Sequence, residues 1–131
     1  MRDMTFSQAD TLELKLSQLG ANYRLSRNFK LGEFASKCGA DTVLIHPALL
    51  VGMQAIRDIL GVPLTINSGY RTVTHNDKIG GAKHSLHLLG MAVDLSGADP
   101  KEIAKVARDL GMVARTYPTF CHVDIGQNRN W

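Results

Sequence analysis

Apolar residues recur at spacings of three and four along two stretches of the chain and alternate singly along two others. In the first pattern, Leu49, Met53, Ile56 and Leu60 predict a helix over residues 47–60, with Pro47 in its first turn and Gly61 then Pro63 stopping it. A second helix follows Asp99, which caps it. Its stripe is Ile103, Val106, Ala107 and Leu110, Pro100 and Glu102 suit its first turn, and Gly111 ends it. The alternating pattern predicts strands. In "GMAVDL" (90–95), Met91, Val93 and Leu95 share one face, and Gly90, Ala92 and Asp94 share the other. In "CHVDI" (121–125), Cys121, Val123 and Ile125 oppose His122 and Asp124. "MVAR" (112–115) pairs with that strand through "TYPTF", and "PLTIN" (63–67) reads as a short strand. Residues 68–85 are irregular and rich in Gly, Ser, Thr and Asn; a compact domain rarely keeps so long a loop unless it uses it. Residues 1–27 stay undecided, because Leu12, Leu14 and Leu16 alternate like a strand while Ser7 to Asp10 resembles a helix start. Strands interrupted by helices predict an α+β domain with a small, largely antiparallel sheet flanked by helices.

Size and charge narrow the function. At 131 residues the chain fits one domain with its own core. It has no run of about 18 apolar residues, so no membrane span is expected. The opening "MRDMTFSQADTLELKL" lacks the apolar run of a secretory leader, which predicts synthesis in the cytoplasm. A net charge of +3 is spread over separated positions such as Arg27, Lys30, Arg57, Lys83 and Arg115, which argues against a dedicated nucleic-acid arm. Cys38 and Cys121 lie far apart and form no CxxC pair, so free thiols are expected.

The candidate chemistry sits where the alternation leaves polar groups facing inward. His87 precedes Asp94 by seven residues, and His122 stands on a second strand of the same kind. If the two strands are neighbours, Asp94 and His122 converge, and His87 can fold over from the segment entering the first strand. Two imidazoles and one carboxylate would leave a fourth position open, as in catalytic zinc sites; structural sites are usually closed by cysteines. A helix would also put positions 87 and 94 on one face, but roughly 10 Å apart along the axis, awkward for one small ion. Asp124 shares the His122 face.

Longer motifs surround these residues. "SGYR" (68–71), Asn76, "GGAKHSLHLLGMAVD" (80–94) and "YPTFCHVDIGQNRNW" (117–131), with the opening "NFKLGEF" (28–34), together resemble the zinc D-alanyl-D-alanine carboxypeptidase family of peptidoglycan peptidases. That family shares a fold core with the hedgehog signalling domain. The nearest likeness is to its branch of phage lysins and murein peptidases, and it covers about residues 28–131 of a single domain. The resemblance implies one zinc ion per chain held by His87, Asp94 and His122, with Ser85 touching substrate near the metal. It also implies that Arg71 faces the substrate's carboxylate or scissile carbonyl, acting on substrate and not on the fold. Relatives that carry an acid three residues before the last zinc histidine, or a histidine two before it, are not matched: Thr119 and Phe120 stand there. Asp124 is then the nearest candidate for the general base; its other readings are a partner orienting a zinc-bound imidazole and a solvated strand residue. The implied protein is a monomeric zinc peptidase acting at the bacterial cell wall on stem or cross-bridge peptides, with no nucleic-acid or membrane partner. A non-catalytic zinc-containing wall-binding or virion module of the same fold is the alternative.

Overall fold

The fold of residues 7–126 is described by a computed structural model. The undecided N-terminal stretch takes both forms in succession. A single 3-10 turn at Gln8–Asp10, capped by the Ser7 hydroxyl, is followed by strand β1 (Leu12–Lys15). A short helix α1 (Leu16–Leu19), strands β2 (Arg24–Ser26) and β3 (Phe29–Lys30), and a short helix α2 (Leu31–Phe34) lead to β4 (Thr42–Ile45). No alternation marks β4 in the sequence; it pairs antiparallel with β1, setting Leu14 opposite Val43.

The predicted helices are present as α3 (Pro47–Leu60) and α5 (Pro100–Asp109), and β5 (Thr65–Ser68) begins two residues later than expected. Residues 68–85 differ from the irregular loop predicted. They contain α4 (Val73–Lys78), started by Thr72 Oγ1, which accepts the His75 N–H at 3.1 Å. Its sequence has no apolar stripe, and only Asn76 is buried, so periodicity cannot reveal it. A 3-10 segment, Leu86–Leu89, then leads into β6 (Ala92–Ser96); β7 (Val113–Thr116) and β8 (Cys121–Asp124) close the described chain.

Four strands form the main sheet in the order β5-β6-β8-β7, every pair antiparallel. Helix α5 packs across β6, β7 and β8, and α3 packs on α5. Between helices and sheet, Val93, Leu95, Cys121 and Val123 are fully buried with Leu49, Met53, Ile56, Ile103 and Ala107. Each large apolar side chain there contributes about 1.5–3 kcal/mol. The α5 stripe is rotated from the expected one: Ala104 is buried, while Leu110 sits past the last helical turn and is exposed. A period of two residues leaves no freedom on the opposite face. Once Val93, Leu95 and Val123 are core, Ala92, Asp94, His122 and Asp124 must project from the other side of the sheet.

Candidate metal centre

The register of β6 against β8 sets Asp94 directly opposite His122, and β5 sets Ser68 opposite Asp94. The third residue comes from the 3-10 segment. Ser85 Oγ caps it by accepting the His87 N–H at 3.2 Å, and Gly90 ends it with φ +69°. A side chain at Gly90 would meet the Leu44 carbonyl oxygen at 2.4 Å, so only glycine lets the chain turn here from the His87 segment into β6. The His87 ring is brought over the sheet to 5.3 Å from the His122 ring.

His87 Nε2 and His122 Nδ1 lie 3.3 and 3.1 Å from the same oxygen, Asp94 Oδ1. Ligand atoms of all three residues fall within 4.8 Å of one another. Ligands at about 2.0–2.1 Å from a tetrahedral zinc ion stand about 3.3 Å from each other, so the spacing fits. The far nitrogen of each ring is engaged as well. His87 Nδ1 lies 2.7 Å from the Gly69 carbonyl oxygen, to which it can only donate, so in the neutral ring the lone pair is on Nε2. His122 Nε2 lies 2.9 Å from Asp124 Oδ2, so in the same way the neutral ring has its lone pair on Nδ1, on the Asp94 side.

The charges follow from this packing. Burial would raise the Asp94 carboxyl, but hydrogen bonds from His122 and His87 outweigh it and hold Asp94 well below the usual carboxylate range. Burial would lower His122; hydrogen bonds to Asp124 and Asp94 prevail and raise it above its ordinary value. The two carboxylates that flank the His122 ring thus favour positive charge at this point of the site. Arg71 closes the group from behind. Its Nε–H donates to Ser68 Oγ at 3.0 Å, and its terminal nitrogens donate to Asn76 Oδ1 and Asp94 Oδ2, each at 3.3 Å.

Of the six expected site residues, His87, Asp94, His122, Arg71 and Asp124 are joined by these contacts, and Ser85 caps the segment that carries His87. Asp124 is 1% exposed, and its second oxygen accepts the Gly126 N–H at 3.0 Å. The Asp124 carboxylate is thus sealed on the far side of the His122 ring from Asp94, in the place of a partner to His122 and not on the side that Asp94 and His87 face. The Ser85 hydroxyl, expected to touch substrate, is buried and occupied in capping the His87 segment. Arg71 supports the fold as well as facing the site, since its side chain is only 14% exposed. Of the remaining histidines, His84 is exposed, His75 lies on α4, and His46 caps α3 through Nδ1 to the Ala48 N–H. Trp131 and the end of its motif lie outside the described residues.

Sequence reasoning missed the contributions of Ser68, Gly69 and Asn76, although all three lie within the quoted motifs. Gly69 packs so close to α2 that a side chain would meet Phe34 backbone atoms at 2.8 Å; its carbonyl fixes the His87 tautomer. Asn76 relays support from the Ala82 carbonyl to Arg71.

Residues 27–124 match the family described as Peptidase M15. A protein of Streptomyces albus G, zinc D-Ala-D-Ala carboxypeptidase, is 35% identical over 88 residues, covering 60% of this chain and 34% of the relative. The chain thus spans about a third of that relative's length. The matched segment takes in most of the chain, including His87, Asp94, His122 and the Gly69 and Arg71 that support them, and the chain belongs to the Peptidase M15 family.

Proposed function

We propose that this domain is a zinc peptidase that hydrolyses a peptide bond in peptidoglycan. The observation that carries the reading is the set of inward lone pairs at tetrahedral spacing, each imidazole fixed by a partner on its far nitrogen. The Streptomyces relative, named for zinc and for D-Ala-D-Ala, supplies the metal and the substrate class. Bound zinc supplies an acidified water and a Lewis acid for the scissile carbonyl. The chain's own groups do the rest. His87, Asp94 and His122 hold the ion, Gly69 and Asp124 retain the protons on His87 Nδ1 and His122 Nε2, and Arg71 holds Asp94 in place. Arg71 has five N–H donors and uses three, so two remain for the negative charge that develops on the carbonyl oxygen. A basic surface suits an anionic wall.

The test is mass spectrometry of purified peptidoglycan incubated with the zinc-loaded protein: new peptide termini support hydrolysis. The narrower reading, a lysin, predicts that the protein also lowers the turbidity of a suspension of wall sacculi. One observation favours a second reading, a non-catalytic zinc module. Thr119 and Phe120 occupy the positions at which relatives carry an acid or a histidine, and Asp124 is enclosed behind His122. Stoichiometric zinc with no new termini would select that reading.

A further inference from the structure

The two oxygens of Asp94 are put to different uses. Oδ1 faces both imidazoles, 3.3 Å from His87 Nε2 and 3.1 Å from His122 Nδ1, whereas Oδ2 accepts from Arg71 at 3.3 Å. What aims Arg71 lies one step further from the site. A guanidinium is a rigid planar fork, so two acceptors fix its plane and rotation, and the third direction follows. Ser68 Oγ takes the Nε–H at 3.0 Å and Asn76 Oδ1 takes a terminal N–H at 3.3 Å, which leaves the other terminal nitrogen aimed at Asp94. Asn76 is buried, and its side chain is held at both ends. Nδ2 donates to the Ala82 carbonyl at 2.9 Å while Oδ1 accepts from Arg71, a division that an amide offers and a carboxylate does not. Its backbone is held as well: the N–H donates to the Thr72 carbonyl at 2.9 Å, and the carbonyl accepts from the Gly81 N–H at 2.8 Å. Gly81 passes so close that a side chain there would run into Asn76 Oδ1.

A buried carboxylate oxygen is costly to leave unpaired, so one that loses its donor turns to the nearest positive charge. For Asp94 Oδ2, released from Arg71, that charge is the metal ion. A catalytic zinc site keeps one position open for water or substrate beside three protein ligands, and a second oxygen from the same carboxylate would fill it. Resting on the ligand set proposed above, we propose that Asn76 is a positioning residue. Through Arg71 it holds Asp94 to a single oxygen for the metal and so keeps the fourth position free. The bond from Asn76 to Ala82 anchors the amide, and the bond to Arg71 carries the effect.

The experiment loads wild type, Asn76→Ala, Asn76→Asp and Gly81→Ala with cobalt(II), whose visible bands are stronger in four-coordinate than in five-coordinate sites. It reads band intensity, the affinity of azide for the open position, and melting temperature. Asn76→Ala should weaken the bands and bind azide about tenfold less tightly, the scale on which partners of metal ligands act. Gly81→Ala should do the same, since the added methyl displaces Oδ1 from Arg71. Asn76→Asp keeps an acceptor for Arg71 and gives up only the donor to Ala82, so it should keep the wild-type bands and azide affinity even where it melts lower. Wild-type bands and azide affinity in Asn76→Ala, or in Gly81→Ala where the former does not fold, overturn the proposal whatever the melting temperature. An Asn76→Asp spectrum as weak as that of Asn76→Ala overturns it too. Weak bands in wild type itself sink this proposal alone, whereas a wild type that takes up no cobalt sinks the ligand set along with it.

Discussion

Replacing Asp124 with Asn should weaken zinc binding before it weakens chemistry. The carboxylate is buried, accepts from His122 Nε2 at 2.9 Å through one oxygen, and accepts from the Gly126 N–H at 3.0 Å through the other. Asn preserves the volume but has one acceptor oxygen for these two donors, so an NH2 group must face one of them. Partners of zinc-bound imidazoles are worth about 10–100-fold in metal affinity, which is about 1.4–2.7 kcal/mol. The upper half of that range is expected here, because a charge-assisted bond is roughly twice as strong as a neutral one and this one is shielded from water. Competition with a chromophoric chelator measures the affinity, and turnover is then taken at saturating zinc. Zinc binding should fall by about 30- to 100-fold, while turnover at saturation stays within about tenfold of wild type. The opposite result, full zinc affinity with turnover down by about 10²- to 10⁴-fold, is the mark of a lost general base and would refute the orienting role.

Three further outcomes follow from the same geometry. Zinc must displace the proton that the two carboxylates favour on His122, so the zinc-induced rise in melting temperature should grow between pH 6 and pH 8. The sign agrees for the metal-free protein. A raised His122 stabilises the fold below its unfolded value near 6.5 and loses that contribution as pH climbs through the folded value, so the apoprotein should melt lower at pH 8 than at pH 6. A flat zinc effect across this range would contradict the site. Arg71→Ala should lower both stability, by about 3–5 kcal/mol in denaturant titration, and zinc affinity, because it strands the buried Asp94 and Asn76 oxygens; unchanged stability would return Arg71 to a substrate role alone. Of the two thiols, Cys38 is exposed and lowered by hydrogen bonds from Ser36 and Thr72, whereas burial raises Cys121 to about 11. A thiol reagent should titrate one cysteine in the native protein and two after unfolding, and rapid native labelling of both would place Cys121 outside the core.

How much of this could be read from the residues alone depends on the range of the interaction. Helices α3 and α5 and the faces of β6 and β8 were legible because their signals are local: a stripe, a cap and a two-residue alternation. Helix α4 was not, since six polar residues held by one threonine cap and one buried asparagine carry no stripe. Alternation placed Asp94, His122 and Asp124 on one face and was right, but a face does not say which ring nitrogen a carboxylate meets. Asp94 stands opposite His122 in register and takes Nδ1; Asp124 stands two residues along the same strand and takes Nε2. In the function proposed above, that division makes one acid a ligand and the other a support, and it lives in side-chain geometry that no spacing encodes.

Arg115 is the contrary case, since the sequence held enough to find it. In the scattered charges it looks like any other surface cation, and nothing within its own strand distinguishes it. A hairpin's register, however, is fixed by its turn. Counting outward from the turn pairs Tyr117 with Phe120, Thr116 with Cys121 and Arg115 with His122, and the structure has these pairs. Once His122 is taken as a ligand, the short turn obliges Arg115 to stand beside it on the same face. A motif that marks candidate ligands can thus be extended by strand arithmetic to the residues that stand beside them on the sheet, provided the connecting turn is short enough to leave one register.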